Sequence, residues 1–164
     1  MSEPLGQILP GSKFGECLTE IAKKCETILE VGTWHGLGST LCLANGLVRA
    51  TQRIWTIDQS KAMWLEAKKR YESEERIRFI CAHTVDVLDE VPPRLDLVLF
   101  DGNDDQTELE FDLLIQRIEK FIALDDTNER KNRRQLAFLS TLPDLKFLKG
   151  SSTDRNGWAV FEKP

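Results

Sequence analysis

The chain has 164 residues, of which 41% are hydrophobic and 30% charged; this is enough for one domain with a single core and too few for two well-packed domains. Its formal net charge of −5 offers no electrostatic attraction to nucleic acid or to an anionic membrane, so neither is expected as a partner. We therefore expect one soluble domain over residues 1–164.

Two further features bear on location. The first four residues lack a basic region followed by a long apolar stretch, and no segment approaches the ~18 apolar residues of a membrane span. The four cysteines are irregularly spaced without a C-x-x-C pair, which is typical of a reducing compartment and of buried, unpaired thiols. Together these features predict a cytoplasmic protein.

Strands and helices alternate along the chain. Ser12 is predicted to cap a first helix, because the apolar residues that follow it recur at helical spacing. The later patterns predict strands at 27–31, 53–57, 77–81, 95–100 and 121–124, and helices at 39–48, 61–71 and 107–118. Segments 146–148 and 158–161 flank the turn dipeptide Asn156-Gly157 and predict an antiparallel hairpin at a sheet edge. The alternation is typical of an α/β fold with a mainly parallel sheet covered on both faces.

Residues 28–40 form the most informative segment, a buried strand followed by a glycine-rich turn and the start of a helix. Gly32, Gly36 and Gly38 would let the main chain approach a ligand without side chains in the way. Amides at the start of the helix can bind a polar group of the ligand, and Asp58, at the end of the next strand, can accept hydrogen bonds from both hydroxyls of a ribose. The segment predicts a nucleoside-cofactor site; a tight turn that binds nothing is the alternative.

The glycine order separates the cofactor classes. A dinucleotide fingerprint reads G-x-G-x-x-G, which this chain does not match, so a short nucleotide-binding dehydrogenase is disfavoured. Glu30 precedes the first glycine by two residues and would crowd a pyrophosphate, whereas it suits a cationic cofactor that carries an amino group. S-adenosylmethionine has both a sulfonium and an ammonium group. It is the expected cofactor.

A second constellation consists of carboxylates at strand ends. Asp101 follows one apolar strand, and Asp125 and Asp126 follow another, so parallel strands would bring them to one edge of the sheet. Three carboxylates in one cleft repel one another unless a proton or cation intervenes, and oxygen ligands of this kind suit Mg²⁺, Mn²⁺ or Ca²⁺. Helix capping and solvation are the alternative: Asp101 would merely end a strand, Asp104 or Asp105 would cap the helix that follows, and Asp126 would cap the next helix.

Two basic runs, at 68–70 and 130–134, are interpreted as the solvated faces of helices. The second run follows the acidic pair closely, and steering of an anionic acceptor is its alternative role.

The segment from Glu30 to Gly38 resembles motif I of the class I S-adenosylmethionine-dependent methyltransferases, acid-x-Gly-x-Gly-x-Gly, and Asp58 resembles their ribose-binding acid. This resemblance implies a Rossmann-like sheet of seven strands in the order 3-2-1-4-5-7-6, with helices on both faces and an antiparallel last strand. The residues expected to bind the cofactor are Glu30, Gly32, Thr33, Trp34, Gly36, Ser39, Asp58, His83 and Asp101. His83 stands where the family often has an aspartate that reads the adenine amino group.

Residues 97–104 and 122–127 look like the paired acidic motifs of the small-molecule O-methyltransferases, both the catechol type and the macrocin type, also called methyltransferase family 24. This resemblance implies that Asp101, Asp125 and Asp126 hold a divalent ion, which orients the acceptor hydroxyl and lowers its pKa. Asp104 takes the place of the family's candidate base, a histidine, so Asp101 and Asp104 are the predicted catalytic residues.

The sequence thus predicts methyl transfer from S-adenosylmethionine to a hydroxyl of a small molecule, assisted by Mg²⁺. A non-catalytic methyltransferase-like binding or regulatory module is the alternative, because the histidine is missing beside Asp104 and the adenine motif is altered at His83. The chain has little length for a cap over the acceptor, so we expect either a homodimer partner or the amino-terminal helix to complete that pocket.

Overall fold

The computed structural model describes residues 8–103 and 105–164. These residues contain one seven-stranded sheet in the order β3-β2-β1-β4-β5-β7-β6, in which β7 runs antiparallel to its neighbours β5 and β6 and the remaining strands are parallel. The strands are β1 (Thr27–Val31), β2 (Arg53–Asp58), β3 (Ile77–Cys81), β4 (Leu95–Phe100), β5 (Ile118–Asp125), β6 (Lys146–Ser151) and β7 (Trp158–Glu162). The expected fold is confirmed, including the sheet order and the antiparallel last strand.

Apolar side chains cover both faces of the sheet. Neighbouring strand residues point to opposite faces, so Ile28 belongs to one core cluster and Leu29 to the other. The helices are α1 (Lys13–Ala22), α2 (Ser39–Asn45), α3 (Lys61–Arg70), α4 (Thr107–Leu114) and α5 (Arg130–Leu139). Helices α1 and α2 pack into the first cluster, and α4 and α5 into the second. Ser12 caps α1 as predicted, its hydroxyl accepting a hydrogen bond from the amide of Gly15.

The boundary between α4 and β5 differs from the prediction. The helix expected over 107–118 ends at Leu114, is followed by one 3₁₀ turn (Ile115–Arg117), and gives way to a strand that begins at Ile118. Ile118 is buried and pairs with Leu95 of β4. An apolar residue at 118 fits both the helical and the strand period, and pairing with β4 decides between them.

The parallel strands end at one edge of the sheet. Val31, the last residue of β1, is in register with Ile57 on one side and with Phe100 on the other, and Phe100 is in register with Leu124 of β5. The residues that follow these positions are therefore brought together at the carboxyl edge: Gly32, Asp58, Asp101 and Asp125.

The helices and the cysteines of the described residues bear on two further predictions. None of the helices in these ranges is long and apolar enough to cross a membrane. Cys17, Cys25 and Cys42 are buried free thiols as expected, whereas Cys81, at the end of the edge strand β3, is exposed.

Candidate functional site

A cavity of about 400 Å³ opens at the carboxyl edge, within the usual size range of small-ligand sites. Its walls come from the glycine loop after β1, the ends of β2, β3 and β4, and the starts of α4 and α5. The predicted cofactor residues that line this pocket are Gly32, Thr33, Trp34, Gly36, Ser39, Asp58, His83 and Asp101. The fold thus collects, around one pocket, side chains that are up to 69 residues apart in sequence.

Gly32 lies at the closest approach between the loop and β4. Its φ is +98°, and a Cβ at this position would lie 2.3 Å from the carbonyl oxygen of Asp101. The amide of Gly32 donates to the carbonyl of Ile57, which ties the loop to β2. Only glycine fits this conformation and this clearance.

The middle of the loop is held by α3. The hydroxyl of Tyr71 donates to the carbonyl of Gly36 at 2.7 Å, and Gly36 has a φ of +78°. Trp34 adopts a positive φ of 48° and leaves its indole 48% exposed beside the pocket. An exposed indole at the mouth can contact a bound ligand without rearrangement of the loop.

Asp58 is held in place by main-chain amides. Its Oδ2 accepts from the amide of Trp34 at 2.7 Å, and its Oδ1 accepts from the amide of Ser60 at 2.7 Å. A carboxylate has about four acceptor sites, so each oxygen keeps one for a ligand hydroxyl. The structure thus presents an oriented carboxylate to the pocket at the position predicted for ribose binding.

Glu30, also a predicted cofactor residue, lies outside the pocket lining. It is fully buried beneath the loop, absent from the pocket lining, and its Oε2 accepts hydrogen bonds from the hydroxyls of Thr40 and Thr56. Burial raises the pKa of Glu30 to about 7, an effect that the nearby hydroxyls of Ser39, Thr56 and Thr40 reduce. Glu30 thus supports the loop and the start of α2 from below, and its predicted contact with the cofactor stays a prediction.

The three predicted metal ligands do come together. Asp101, Asp125 and Asp126 each offer an oxygen, and these oxygens lie within 4.8 Å of one another. Asp126 is held at a positive φ of 51°, a conformation that costs free energy in a non-glycine residue and is common at functional sites. The N-cap of α5 is Glu129, so Asp126 does not cap that helix. Asp104, the other predicted catalytic residue, lies outside the residues that the structure describes.

Two basic side chains already compensate this cluster. The Nζ of Lys131 lies 2.7 Å from Oδ1 of Asp101 and 3.1 Å from Oδ2 of Asp126, and Arg155 pairs with Oδ2 of Asp125 at 2.9 Å. Lys131 is the second residue of α5 and its side chain is only 8% exposed. The interpretation of the run at 130–134 as a solvated face is thus wrong for Lys131, which turns inward.

The pKa values show strong coupling among these groups. Burial raises the pKa of Asp101, and burial together with the Asp101 charge raises that of Asp125 to about 8. Burial lowers the pKa of Lys131, but the charges and hydrogen bonds of Asp101 and Asp126 outweigh it, so the net shift is upward and the amine stays protonated. The donor chemistry suits a divalent ion, yet an ammonium lies between two of the three ligands. The cluster as folded does not fit a resident Mg²⁺, and metal assistance stays a prediction.

Glu110, in α4, is a pocket residue that the sequence pattern did not reveal. It is 5% exposed and lines the pocket, and its Oε2 has no hydrogen-bond partner among the described residues. Burial raises the pKa of Glu110. The Thr84 hydroxyl and the charges of Lys131 and His83 lower it, but burial has the larger effect. One acid in an amphipathic helix gives no signal that distinguishes it from an exposed one, which is why it was missed.

Comparison with known proteins decides the family. The sequence model of methyltransferase family 24, described as a methyltransferase domain, matches residues 29–127. The chain belongs to this methyltransferase family. The match includes the glycine loop, Asp58 and the acidic cluster, so the resemblance expected from those motifs is confirmed. No curated protein sequence matches the chain.

Solved structures of similar shape include three methyltransferases. The O-methyltransferase from Bacillus cereus in complex with SAH has a TM-score of 0.80 at 18% identity, covering 98% of this chain and 84% of its own. The O-methyltransferase TomG from Streptomyces achromogenes, in complex with SAM, has a TM-score of 0.74 at 17% identity and coverages of 92% and 79%. SAH-bound PaMTH1 from Podospora anserina has a TM-score of 0.71 at 19% identity and coverages of 92% and 78%. At these identities the likeness confirms the fold.

Proposed function

We propose that this methyltransferase transfers the methyl group of S-adenosylmethionine to a hydroxyl of a small molecule. The observation that carries the proposal is Asp58, an oriented carboxylate at the end of β2 that faces a pocket walled by the glycine loop. That arrangement suits a ribose lying across the carboxyl ends of β1 and β2.

Several of the predicted cofactor-binding roles are supported by where the residues lie in this chain. Asp58 would accept hydrogen bonds from the two ribose hydroxyls. Gly32 lets the loop pack closely against the end of β4, which leaves space above the loop for a ligand. His83 lines the pocket just beyond β3, where an adenine would extend from that ribose. Ser39 and Thr33 line the same pocket at and before the start of α2.

A hydroxyl acceptor is supported by the neighbours, since the structures from Bacillus cereus and Streptomyces achromogenes are named O-methyltransferases. When bound, S-adenosylmethionine supplies an electrophilic methyl group on a positively charged sulfur. The acceptor oxygen bonds to the methyl carbon as the methyl–sulfur bond breaks, and the hydroxyl proton must pass to a base.

Glu110 is suited to receive that proton. Its buried carboxylate lines the pocket and keeps one oxygen without a partner among the described residues. Because its pKa is raised by burial, it is a stronger proton acceptor than an exposed glutamate. Asp101, one of the two residues predicted to be catalytic, lines the same pocket.

The proposal is tested by methyl transfer from tritium-labelled S-adenosylmethionine to matched panels of catechols, simple phenols, aliphatic alcohols and amines. We expect label in products of the hydroxyl panel. We also expect a loss of about 10²-fold in kcat for Glu110→Gln with unchanged cofactor affinity. Transfer to amines alone would contradict hydroxyl specificity. Tight cofactor binding without transfer to any acceptor would favour the non-catalytic module.

A further inference from the structure

The acidic cluster at the ends of β4 and β5 contains its own cation. Lys131 projects from the first turn of α5 between Asp101 and Asp126, with its side chain 8% exposed. Lys131 also lines the pocket that the proposed function assigns to cofactor and acceptor. The ammonium therefore lies between the two aspartates that a metal at this place would need as ligands.

We propose that the Lys131 ammonium takes the place of a divalent ion in this enzyme, so that the acceptor oxygen is anchored by a side chain and transfer needs no metal. The inference rests on the proposed function for the identity of the acceptor, and on the ion pairs alone for the absence of a metal requirement.

The charges in the cluster support this assignment. Arg155 pairs with Asp125, which is 1% exposed and is not among the residues that line the pocket. The two carboxylates that do line the pocket, Asp101 and Asp126, share Lys131. A divalent ion would have to displace a buried ammonium and leave it without its partners, which is strongly unfavourable.

The hydrogen-bond geometry leaves room for an acceptor. A lysine ammonium has three N–H donors, and two of those on Lys131 go to Asp101 and Asp126. Because Lys131 is also a lining residue of the pocket, we assign the third N–H to the acceptor oxygen. A fixed positive charge at that place stabilises the negative charge that develops on the oxygen as its proton leaves.

The test is Mn²⁺ binding to the full chain, measured by electron paramagnetic resonance of free Mn²⁺ in metal-free buffer with and without SAH. For the wild type we expect no binding in the micromolar range. Lys131→Met leaves Asp101 and Asp126 without their cation and should bind Mn²⁺ at least about tenfold more tightly than the wild type does. Lys131→Arg keeps the charge and is the matched control, for which no gain is expected.

A double variant, Lys131→Met with Asp126→Asn, should lose the gained Mn²⁺ binding, which locates it at this cluster. Micromolar Mn²⁺ binding by the wild type would overturn the inference and return the aspartates to their predicted role as metal ligands. Mn²⁺ binding by the wild type alone tests whether the cluster holds a metal, so the inference can be tested even if Lys131→Met fails to fold. SAH affinity, measured on the same samples, reports separately on the proposed function, because absence of SAH binding would contradict that function and leave the metal result intact.

Discussion

The acidic residues of this site are held in different ways, and their surroundings set their roles. Asp58 accepts from two main-chain amides and stays open to the pocket. Glu30 accepts from threonine hydroxyls in full burial, and Asp125 is paired with Arg155. A partly exposed carboxylate held by amides is suited to ligand hydroxyls, whereas the buried Glu30 carboxylate is engaged by hydroxyls of the protein itself.

Glu30 gives the protein a pH-dependent stability. Its pKa is 4.5 ordinarily and about 7 in the folded chain, so the folded state binds more protons than the unfolded state between these values. Stability should therefore fall as pH rises from 4.5 to 7. Relative to Glu30→Gln, the wild type should lose about 3 kcal/mol of unfolding free energy over this window. Urea unfolding of both proteins at intervals from pH 4 to 8 measures the difference, with the exposed Glu72→Gln as control.

A constant difference between wild type and Glu30→Gln across that range would show that Glu30 takes up no proton on folding. Its assignment as a buried support beneath the loop would then be wrong, because a carboxylate open to solvent has no reason to titrate differently in the two states.

Gly32 offers a second prediction at the residue scale. Gly32→Ala combines a positive φ with a Cβ placed 2.3 Å from the Asp101 carbonyl oxygen, so it should destabilise the protein by about 2–4 kcal/mol. Gly11→Ala is the matched control, because Gly11 also has a positive φ (+85°) but nothing within 4 Å of the added Cβ. Its cost should be about 1 kcal/mol in the same denaturation experiment. Equal costs would contradict the close approach of loop and β4.

At the scale of elements, the site depends on how α5 is joined to the ends of β4 and β5. Asn132 is fully buried, and its side-chain amide donates to the carbonyls of Phe100 and Asp125 at 3.0 and 2.6 Å. One side chain thus connects two strand ends to the helix that carries Lys131. The spacing of Asp101, Asp125 and Lys131 follows from this connection.

Asn132→Ala should therefore destabilise the protein by about 2–4 kcal/mol, because two buried carbonyls lose their donor. Chemical denaturation followed by circular dichroism measures the change. The neighbouring Arg134→Ala is the control, since Arg134 is exposed and its pair with Glu108 contributes about 0–1 kcal/mol. A loss for Asn132→Ala no greater than that of the control would show that the strand ends do not depend on this amide.

The elements themselves were largely predictable from sequence. The bounds of β1, β3 and β4 agree with the apolar runs that predicted them, because each run is closed by turn residues or a change in polarity. The start of β5 was not predictable, since Ile118 fits the helical pattern of α4 equally well and only pairing with β4 assigns it to a strand. Local periodicity carries no information on such pairing.

At the scale of the whole molecule, the sheet order explains which parts of the site could be read from the sequence. The glycine loop follows β1 and Asp58 ends β2, and these two strands are adjacent in the sheet. The sequence pattern from β1 to β2 was therefore enough to predict that the loop and Asp58 lie close together. Arg155 reaches Asp125 across 30 residues because β7 is inserted beside β5, and Lys131 turns inward because of the orientation of α5. These cations were missed because they depend on tertiary packing, for which a basic residue in a helix or turn gives no signal.

Cofactor binding at the glycine loop and Asp58 can be measured by calorimetric titration of the protein with SAH, with NADH as the competing cofactor class. We predict micromolar binding of SAH and none of NADH. Asp58→Ala should weaken SAH binding by about 10- to 100-fold through loss of charge-assisted hydrogen bonds, while Asp89→Ala, an exposed aspartate outside the pocket lining, should leave it unchanged. Binding of NADH but not SAH, or SAH binding that is insensitive to Asp58→Ala, would contradict the account.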